Sequence, residues 1–206
     1  MNITTKEVLM SNQEKRTLEG FIEIRANEDG TESRTVEGYG AVFGQWSHNL
    51  GWFKEKMERS SFDNVDMSNV IATFNHNFDN VLARADSNTL SLSVDERGLK
   101  YSFEAPKTTA GNDLLENIRN GNVKGSSFMF TVAKNGSTWT DGEDVDERVI
   151  TQVDKLIELG PVTNPAYPDT TVAKRDLESL KEENEKPKMV SVLDKELKYK
   201  HLRAKI

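Results

Sequence analysis

The sequence of 206 residues contains no cysteine, which excludes disulfide bonds, thiol catalysis and cysteine-ligated zinc. Histidine is nearly as scarce, since only His48, His76 and His201 are present, in three unlike contexts. A multi-histidine metal centre would need nearly all of them, so the sequence predicts neither a metal site nor a cofactor. If an imidazole acts as a general base in this protein, there are few candidates.

Long apolar runs and an excess of basic residues are also missing. No stretch approaches the roughly 18 consecutive apolar residues of a membrane span, and residues 1–16 lack the apolar centre of a signal peptide. The net charge is −7 and the pI about 5.1, whereas a nucleic-acid binder normally presents a basic face. We therefore expect a soluble intracellular protein without membrane or nucleic-acid partners.

The chain length fits one domain of about 100–200 residues with an appendage, and the pattern predicts where that domain lies. Residues 1–16 are polar and without a clear period, so we expect a flexible N-terminal segment. The domain is predicted over 17–173. A charged tail, 174–206, completes the chain. Its last part, 189–206, is net +3 and is either a solvated, partly helical segment or a docking segment for an acidic partner.

Within the domain, short strand-like runs dominate. The clearest hairpin alternates apolar and polar residues on both sides of a turn at 95–98. A helix is predicted over 108–120, because an apolar face there is followed by a glycine. Residues 44–66 are interpreted as irregular. These elements predict a mainly β (α+β) domain, a barrel or a sandwich with helices attached.

Three segments carry side chains that are suited to catalysis, although each also has an ordinary structural interpretation. His76 follows an apolar strand and is either a working base or a hydrogen-bonded structural histidine. Ser126 and Ser127 precede another apolar run and are either nucleophile candidates or turn serines. Glu158 interrupts a third apolar run and would be costly to bury without a partner, unless it faces outward. Together they form a hypothesis of hydrolysis by a serine, a base and an orienting acid.

At these residues the chain resembles the phage prohead (capsid maturation) proteases of the HK97 family, over roughly residues 18–173. The markers occur in the same order along the chain: EGYGAVF at 37–43, FKEKM at 53–57 with Phe62, FNHN at 74–77, DERGL at 95–99, GNVKGSSFMF at 121–130 and ELGPVTNPAYP at 158–168.

This resemblance implies a serine endopeptidase whose fold is similar to herpesvirus assemblin proteases, a compact antiparallel β-barrel with peripheral helices. It implies action inside the procapsid, in the host cytoplasm, on scaffold and major capsid protein, commonly with self-cleavage, and it leaves self-association open. The matching positions are His76 as base, Ser127 as nucleophile and Glu158 as third member. The family usually has an apolar residue where this chain has Ser126, so both serines stay candidates, although the Ser-Phe-x-Phe pattern favours Ser127.

Other interpretations remain at the level of sequence. The chain could be a non-enzymatic structural or scaffold protein of the virus particle, which its charged tail would suit. It could also be another β-barrel hydrolase or a barrel that binds a small ligand. His48, in an aromatic-rich stretch, is the rival base.

Overall fold

Three β-sheets and one α-helix make up the part of the chain that the structure describes. This computed structural model describes residues 13–163 except positions 20, 21, 28, 30 and 32. The strands are β1 (Glu14–Glu19), β2 (Ile22–Ile24), β3 (Thr35–Val42), β4 (Phe53–Met57), β5 (Ile71–Phe74), β6 (Asn77–Arg84), β7 (Leu90–Val94), β8 (Gly98–Glu104), β9 (Gly125–Val132), β10 (Ser137–Thr140), β11 (Asp146–Ile150) and β12 (Val153–Val162). A 3-10 helix spans Arg59–Phe62, and helix α1 spans Thr109–Arg119.

The five-stranded sheet has the order β1-β9-β12-β5-β6, so β9 and β12 lie at its centre. The second sheet has the order β2-β3-β8-β7 and the third β10-β11-β4. Most neighbours are antiparallel, but β12 pairs with β5 and β11 pairs with β4 in parallel. None of the helices in the described part of the chain has the length and apolar character that a membrane span needs.

The mainly β prediction is confirmed, whereas the described residues do not form the compact antiparallel β-barrel with peripheral helices that the resemblance implied. Closing a sheet into a barrel requires its first and last strands to pair. Here β1 and β6 are the two edges of the five-stranded sheet and do not pair with each other. Two of the pairings are parallel, and a single α-helix lies within residues 13–163.

Local sequence explains the elements that periodicity predicted. The β7–β8 hairpin follows the alternation of Leu90, Leu92 and Val94 with serines, and its apolar partners on β8 are buried. Helix α1 begins where the Thr108 side chain accepts a hydrogen bond from the Gly111 amide, which satisfies one free N–H of the first turn.

Two stretches differ from their prediction. Residues 14–16, assigned to the flexible N-terminal segment, are the start of strand β1, and the supposedly irregular 44–66 contains β4 and the 3-10 helix. In β1 the buried positions are charged, Glu14 and Arg16, so no apolar alternation marks the strand. In β4 the buried charge of Glu55 separates the two buried apolar residues, Phe53 and Met57, so the apolar alternation is interrupted. The tail over 174–206 lies outside the described residues, and the division of the chain at residues 17 and 173 stays a prediction.

One glycine permits the close approach of β12 to β5. A Cβ on Gly160 would lie 2.1 Å from the carbonyl oxygen of Thr73, far inside contact distance. Gly160 also lies opposite Ser127 in the β9–β12 ladder. The backbone of the central strands is therefore packed too tightly at this point for any side chain.

We predict that Gly160→Ala lowers the free energy of unfolding by about 1–3 kcal/mol, because the added methyl group must push β5 away from β12. Chemical denaturation with a tryptophan fluorescence readout measures the change. Gly40→Ala is the matched control, since its Cβ would meet only side chains at 3.6 Å or more. Equal stability of the two variants would contradict the tight packing at Gly160.

Candidate active site

A tight turn between β5 and β6 positions His76. Phe74 and Asn77 pair across this hairpin, and the two residues between them have positive φ, 54° for Asn75 and 57° for His76. Two-residue hairpins favour such turns because their twist matches that of the strands. The Asn75 side chain also accepts a hydrogen bond of 2.9 Å from the Thr163 amide, which ties the turn to the end of β12. The imidazole is thereby held at the end of the sheet by backbone geometry.

Ser127 and Glu158 face the same side of the five-stranded sheet as this histidine. Glu158 lies opposite Met129 in the β9–β12 ladder. Ser127 precedes Met129 by two residues and therefore points to the same face of β9. A register shift between Leu156 and Glu158 interrupts the ladder at this point. The serine and the carboxylate therefore reach one place from adjacent strands.

The imidazole of His76 connects the other two side chains. Its Nε2 lies 2.7 Å from Ser127 Oγ, and its Nδ1 lies 2.6 Å from Glu158 Oε2. The side chain of His76 is 10% exposed, whereas Ser127 and Glu158 are buried. The structure thus brings together all three residues that the sequence singled out. In a series of hydroxyl, imidazole and carboxylate, the hydroxyl can lose its proton to the imidazole while the carboxylate stabilises the imidazolium.

Thr73 is a fourth member that sequence reasoning missed. Its hydroxyl donates a hydrogen bond of 2.6 Å to Oε1 of Glu158, the oxygen that His76 does not use. Thr73 is fully buried on β5, three residues before the histidine. The only signal in the sequence is one polar residue within an apolar strand, which is too common to be diagnostic. Thr73 holds the carboxylate of Glu158 in position from the side opposite the imidazole.

The other nucleophile candidate, Ser126, points to the opposite face of β9. Its hydroxyl lies 2.7 Å from the hydroxyl of Tyr101, within the hydrophobic core. Burial raises the pKa of the Tyr101 hydroxyl, so this group stays neutral across the physiological range. Because neighbouring residues of a strand face opposite sides, only one of the two serines can meet His76, and that serine is Ser127.

The remaining histidines do not take part in this arrangement. His48 is exposed in the loop between β3 and β4, where it borders a cleft of about 380 Å³. His201 lies outside the described residues. Within residues 13–163, no group of three or more His, Asp or Glu side chains is placed to hold a metal ion.

Comparison with known families identifies the chain. A family described as caudovirus prohead serine protease matches residues 21–183, which is most of the sequence. The chain belongs to the caudovirus prohead serine protease family. It is therefore a serine protease of capsid maturation, which acts inside the procapsid. This membership speaks against the alternative of a non-enzymatic structural or scaffold protein.

Other comparisons add little to this assignment. None of the curated proteins matches the chain significantly. Among solved structures, the capsid assembly protease gp21 of bacteriophage T4 matches with a TM-score of 0.46 and 13% sequence identity. The match covers 74% of this chain and 98% of the T4 protein.

In this prohead protease Ser127 is covered by the protein's own chain. Strand β1 pairs with β9, and Thr17 lies opposite Ser127. The Ser127 hydroxyl donates a hydrogen bond of 2.8 Å to the carbonyl oxygen of Arg16. A hydroxyl has one hydrogen, so the Arg16 carbonyl and the imidazole of His76 compete for it.

A buried network of four charges holds β1 in this place. The Arg16 guanidinium donates to both Glu14 and Glu55, with Nη2–O distances of 2.6 and 2.9 Å. Arg148 of β11 donates to both oxygens of Glu14, at 2.7 and 3.0 Å. Although burial alone would raise the pKa of the Glu14 carboxyl, the guanidinium groups of Arg148 and Arg16 hold it below its ordinary value. Two carboxylates and two guanidiniums balance, so the buried cluster is neutral overall.

We predict that Thr73→Val lowers kcat for a protein substrate roughly tenfold with little change in KM, because Glu158 loses a charge-assisted hydrogen bond that positions it. Thr73→Ser retains the hydroxyl and should restore most of the rate. Steady-state kinetics of both variants measure the effect. A purely structural role would instead make Thr73→Val and Thr73→Ser differ in thermal stability alone.

The depressed pKa of Glu14 predicts a pH-dependent contribution to stability. The folded value lies below the ordinary 4.5, so the stabilisation is complete above that pH and is lost as the pH falls through the folded value. We expect Glu14→Gln to cost about 2 kcal/mol at pH 7, and the gap from the wild type to close as the pH falls below 4.5.

Urea denaturation at several pH values measures this gap. Glu96→Gln, at an exposed carboxyl in the β7–β8 turn, is the control and should change stability little at any pH. A gap for Glu14→Gln that stays constant from pH 7 to pH 3 would contradict the account of the network.

Proposed function

We propose that Ser127, His76 and Glu158 are the catalytic triad of this prohead protease. The observation that supports this most strongly is the imidazole of His76, which contacts Ser127 Oγ through Nε2 and Glu158 through Nδ1. Each residue comes from a different strand or turn, so the placement of His76 between Ser127 and Glu158 does not follow from local sequence. Thr73 is a positioning residue for Glu158.

The proposed reaction is hydrolysis of a peptide bond through an acyl-enzyme. Ser127 Oγ attacks the scissile carbonyl carbon while its proton passes to His76 Nε2, and Glu158 stabilises the imidazolium that forms. The imidazolium then protonates the leaving amine as the C–N bond breaks. Water, deprotonated by His76, hydrolyses the ester and regenerates the Ser127 hydroxyl. Backbone N–H groups near Ser127 are the expected donors to the oxyanion.

The proposed substrates are scaffold protein and major capsid protein inside the procapsid, within the host cytoplasm, together with the protease itself. The family assignment supports a role in capsid maturation in general. The finer fold prediction, a relation to herpesvirus assemblins, rests on the sequence resemblance alone.

The test of the catalytic role compares wild type, Ser127→Ala and Ser126→Ala, each co-expressed with the scaffold and capsid proteins of the same phage. We expect Ser127→Ala to lower the cleavage rate by about 10⁴–10⁶-fold, as in other triads. Ser126→Ala should still cleave, since its hydroxyl contacts Tyr101 instead of His76. Intact masses of all proteins over time measure the products.

Thermal unfolding provides the control, because Ser127→Ala should fold as the wild type does. Cleavage that persists in Ser127→Ala, or that disappears only in Ser126→Ala, would overturn the assignment of the nucleophile.

A further inference from the structure

The edge of β9 next to Ser127 has the geometry of a groove for an extended peptide. Strand β1 is the edge strand of its sheet, and within the described residues β9 is its only strand partner. If β1 moved away, the backbone of β9 would be open along the segment that carries the nucleophile. Extended peptides bind such edges by adding a strand, with main-chain hydrogen bonds for affinity and side-chain pockets for specificity.

Strand β1 lies in this groove in a register that places a peptide bond at the nucleophile. The carbonyl oxygen of Arg16 is 2.8 Å from Ser127 Oγ, so the Arg16–Thr17 peptide group is next to the reactive hydroxyl. Ser127 has no exposed surface while β1 is in place. A peptide that is to be cut must bring its own carbonyl group to this hydroxyl, and therefore must take the place of β1.

The side chains of β1 meet a charged pair that belongs to the rest of the protein. Arg16 binds Glu55 of β4, through Nε to Oε1 and through Nη2 to Oε2. Glu14 binds Arg148 of β11 through both carboxylate oxygens. Glu55 and Arg148 also contact each other, at 3.4 Å, so they form a neutral pair whose contact does not involve β1.

This pair matches an occupant with a defined order of charges. An arginine two residues after a glutamate satisfies both groups, because alternate side chains of a strand share a face. The reversed order would bring like charges together in a buried place, which is strongly unfavourable. Glu55 and Arg148 can therefore discriminate between peptides of identical composition.

We propose that the groove along β9 is the substrate-binding groove, and that Glu55 and Arg148 select peptides with arginine immediately before the cleaved bond and glutamate two residues earlier. Strand β1 occupies this groove as a substrate-like segment. This inference rests on the proposed function, since it assigns specificity to the same nucleophile. The class of substrate is an extended Glu-x-Arg segment in a scaffold protein, a capsid protein or a second copy of this chain.

Cleavage of such a segment follows the same balanced steps. Ser127 Oγ forms a bond to the carbonyl carbon of the arginine, and the hydroxyl proton moves to His76. The bond to the next residue breaks and its amine leaves with that proton. Water then releases the arginine carboxylate and restores the hydroxyl.

The test uses the full chain and a fluorophosphonate, which reacts with a serine hydroxyl that a base activates. The double variant Glu14→Ala/Arg16→Ala removes both ionic anchors of β1 and leaves the Glu55–Arg148 pair intact. We expect it to be labelled at Ser127 at least about tenfold faster than wild type, since the loss of two buried ionic contacts frees β1. Lys15→Ala, at the intervening position of the strand, is the matched control and should be labelled as the wild type is.

Two peptides of equal composition then test the order of charges. The peptide Glu-Lys-Arg-Thr-Leu-Glu should slow labelling of the double variant and be cut after its arginine. The swapped peptide Arg-Lys-Glu-Thr-Leu-Glu should need a roughly 30-fold or higher concentration for the same protection. Protection by both peptides is also compared on the wild-type chain, where β1 competes with each peptide equally. The ranking of the two peptides therefore does not depend on how the double variant folds.

The outcomes separate this inference from the proposed function. If Ser127 is labelled in a His76-dependent manner but both peptides protect equally, the selection by Glu55 and Arg148 is wrong while the triad stands. If the double variant is labelled no faster than wild type, β1 does not cover the nucleophile and the inference is overturned. If Ser127 reacts in none of the proteins, the nucleophile assignment fails as well.

Discussion

Four buried charges join strands β1, β4 and β11, and the position of β1 beside Ser127 depends on them. Glu14 and Arg16 come from β1, Glu55 from β4 and Arg148 from β11. Removing charges from water is costly, and it is offset here because each carboxylate contacts a guanidinium in close geometry. One consequence is that β1 docks in a single register, and this register decides which peptide group lies at Ser127.

The arrangement of Ser127, His76 and Glu158 has a second requirement, the close approach of β5 to β12. Gly160 allows the two backbones to touch, and the hairpin after β5 then carries His76 over the serine. Thr73 and Glu158 lie on these same two strands, so the hydrogen bond between them is set by the strand pairing. Sheet geometry, together with a turn of positive φ, is sufficient to place the four side chains.

Much of this could be predicted from sequence wherever buried positions are apolar. The β7–β8 hairpin and helix α1 follow from periodicity, and His76, Ser127 and Glu158 followed from polar residues beside apolar runs and from family resemblance. Strand β1 could not be predicted, because charged side chains occupy its buried positions, and in β4 the buried charge of Glu55 interrupts the apolar alternation. The family pattern favoured Ser127 over Ser126, but which serine faces His76 could not be derived from periodicity, because both faces of β9 are buried. The predicted barrel depends on pairing between strands that are far apart in sequence, and no local pattern indicates such pairing.

The central claim is that a peptide reaches Ser127 by taking the place of β1 along β9. The most direct measurement is a crystal structure of the protein after reaction with a peptidyl phosphonate of sequence Glu-Lys-Arg, in which phosphorus replaces the arginine carbonyl carbon. We expect a bond from phosphorus to Ser127 Oγ, the peptide paired with β9, and its arginine and glutamate in contact with Glu55 and Arg148. A phosphonate bonded to another side chain, or a peptide bound elsewhere while β1 keeps its place, would contradict it.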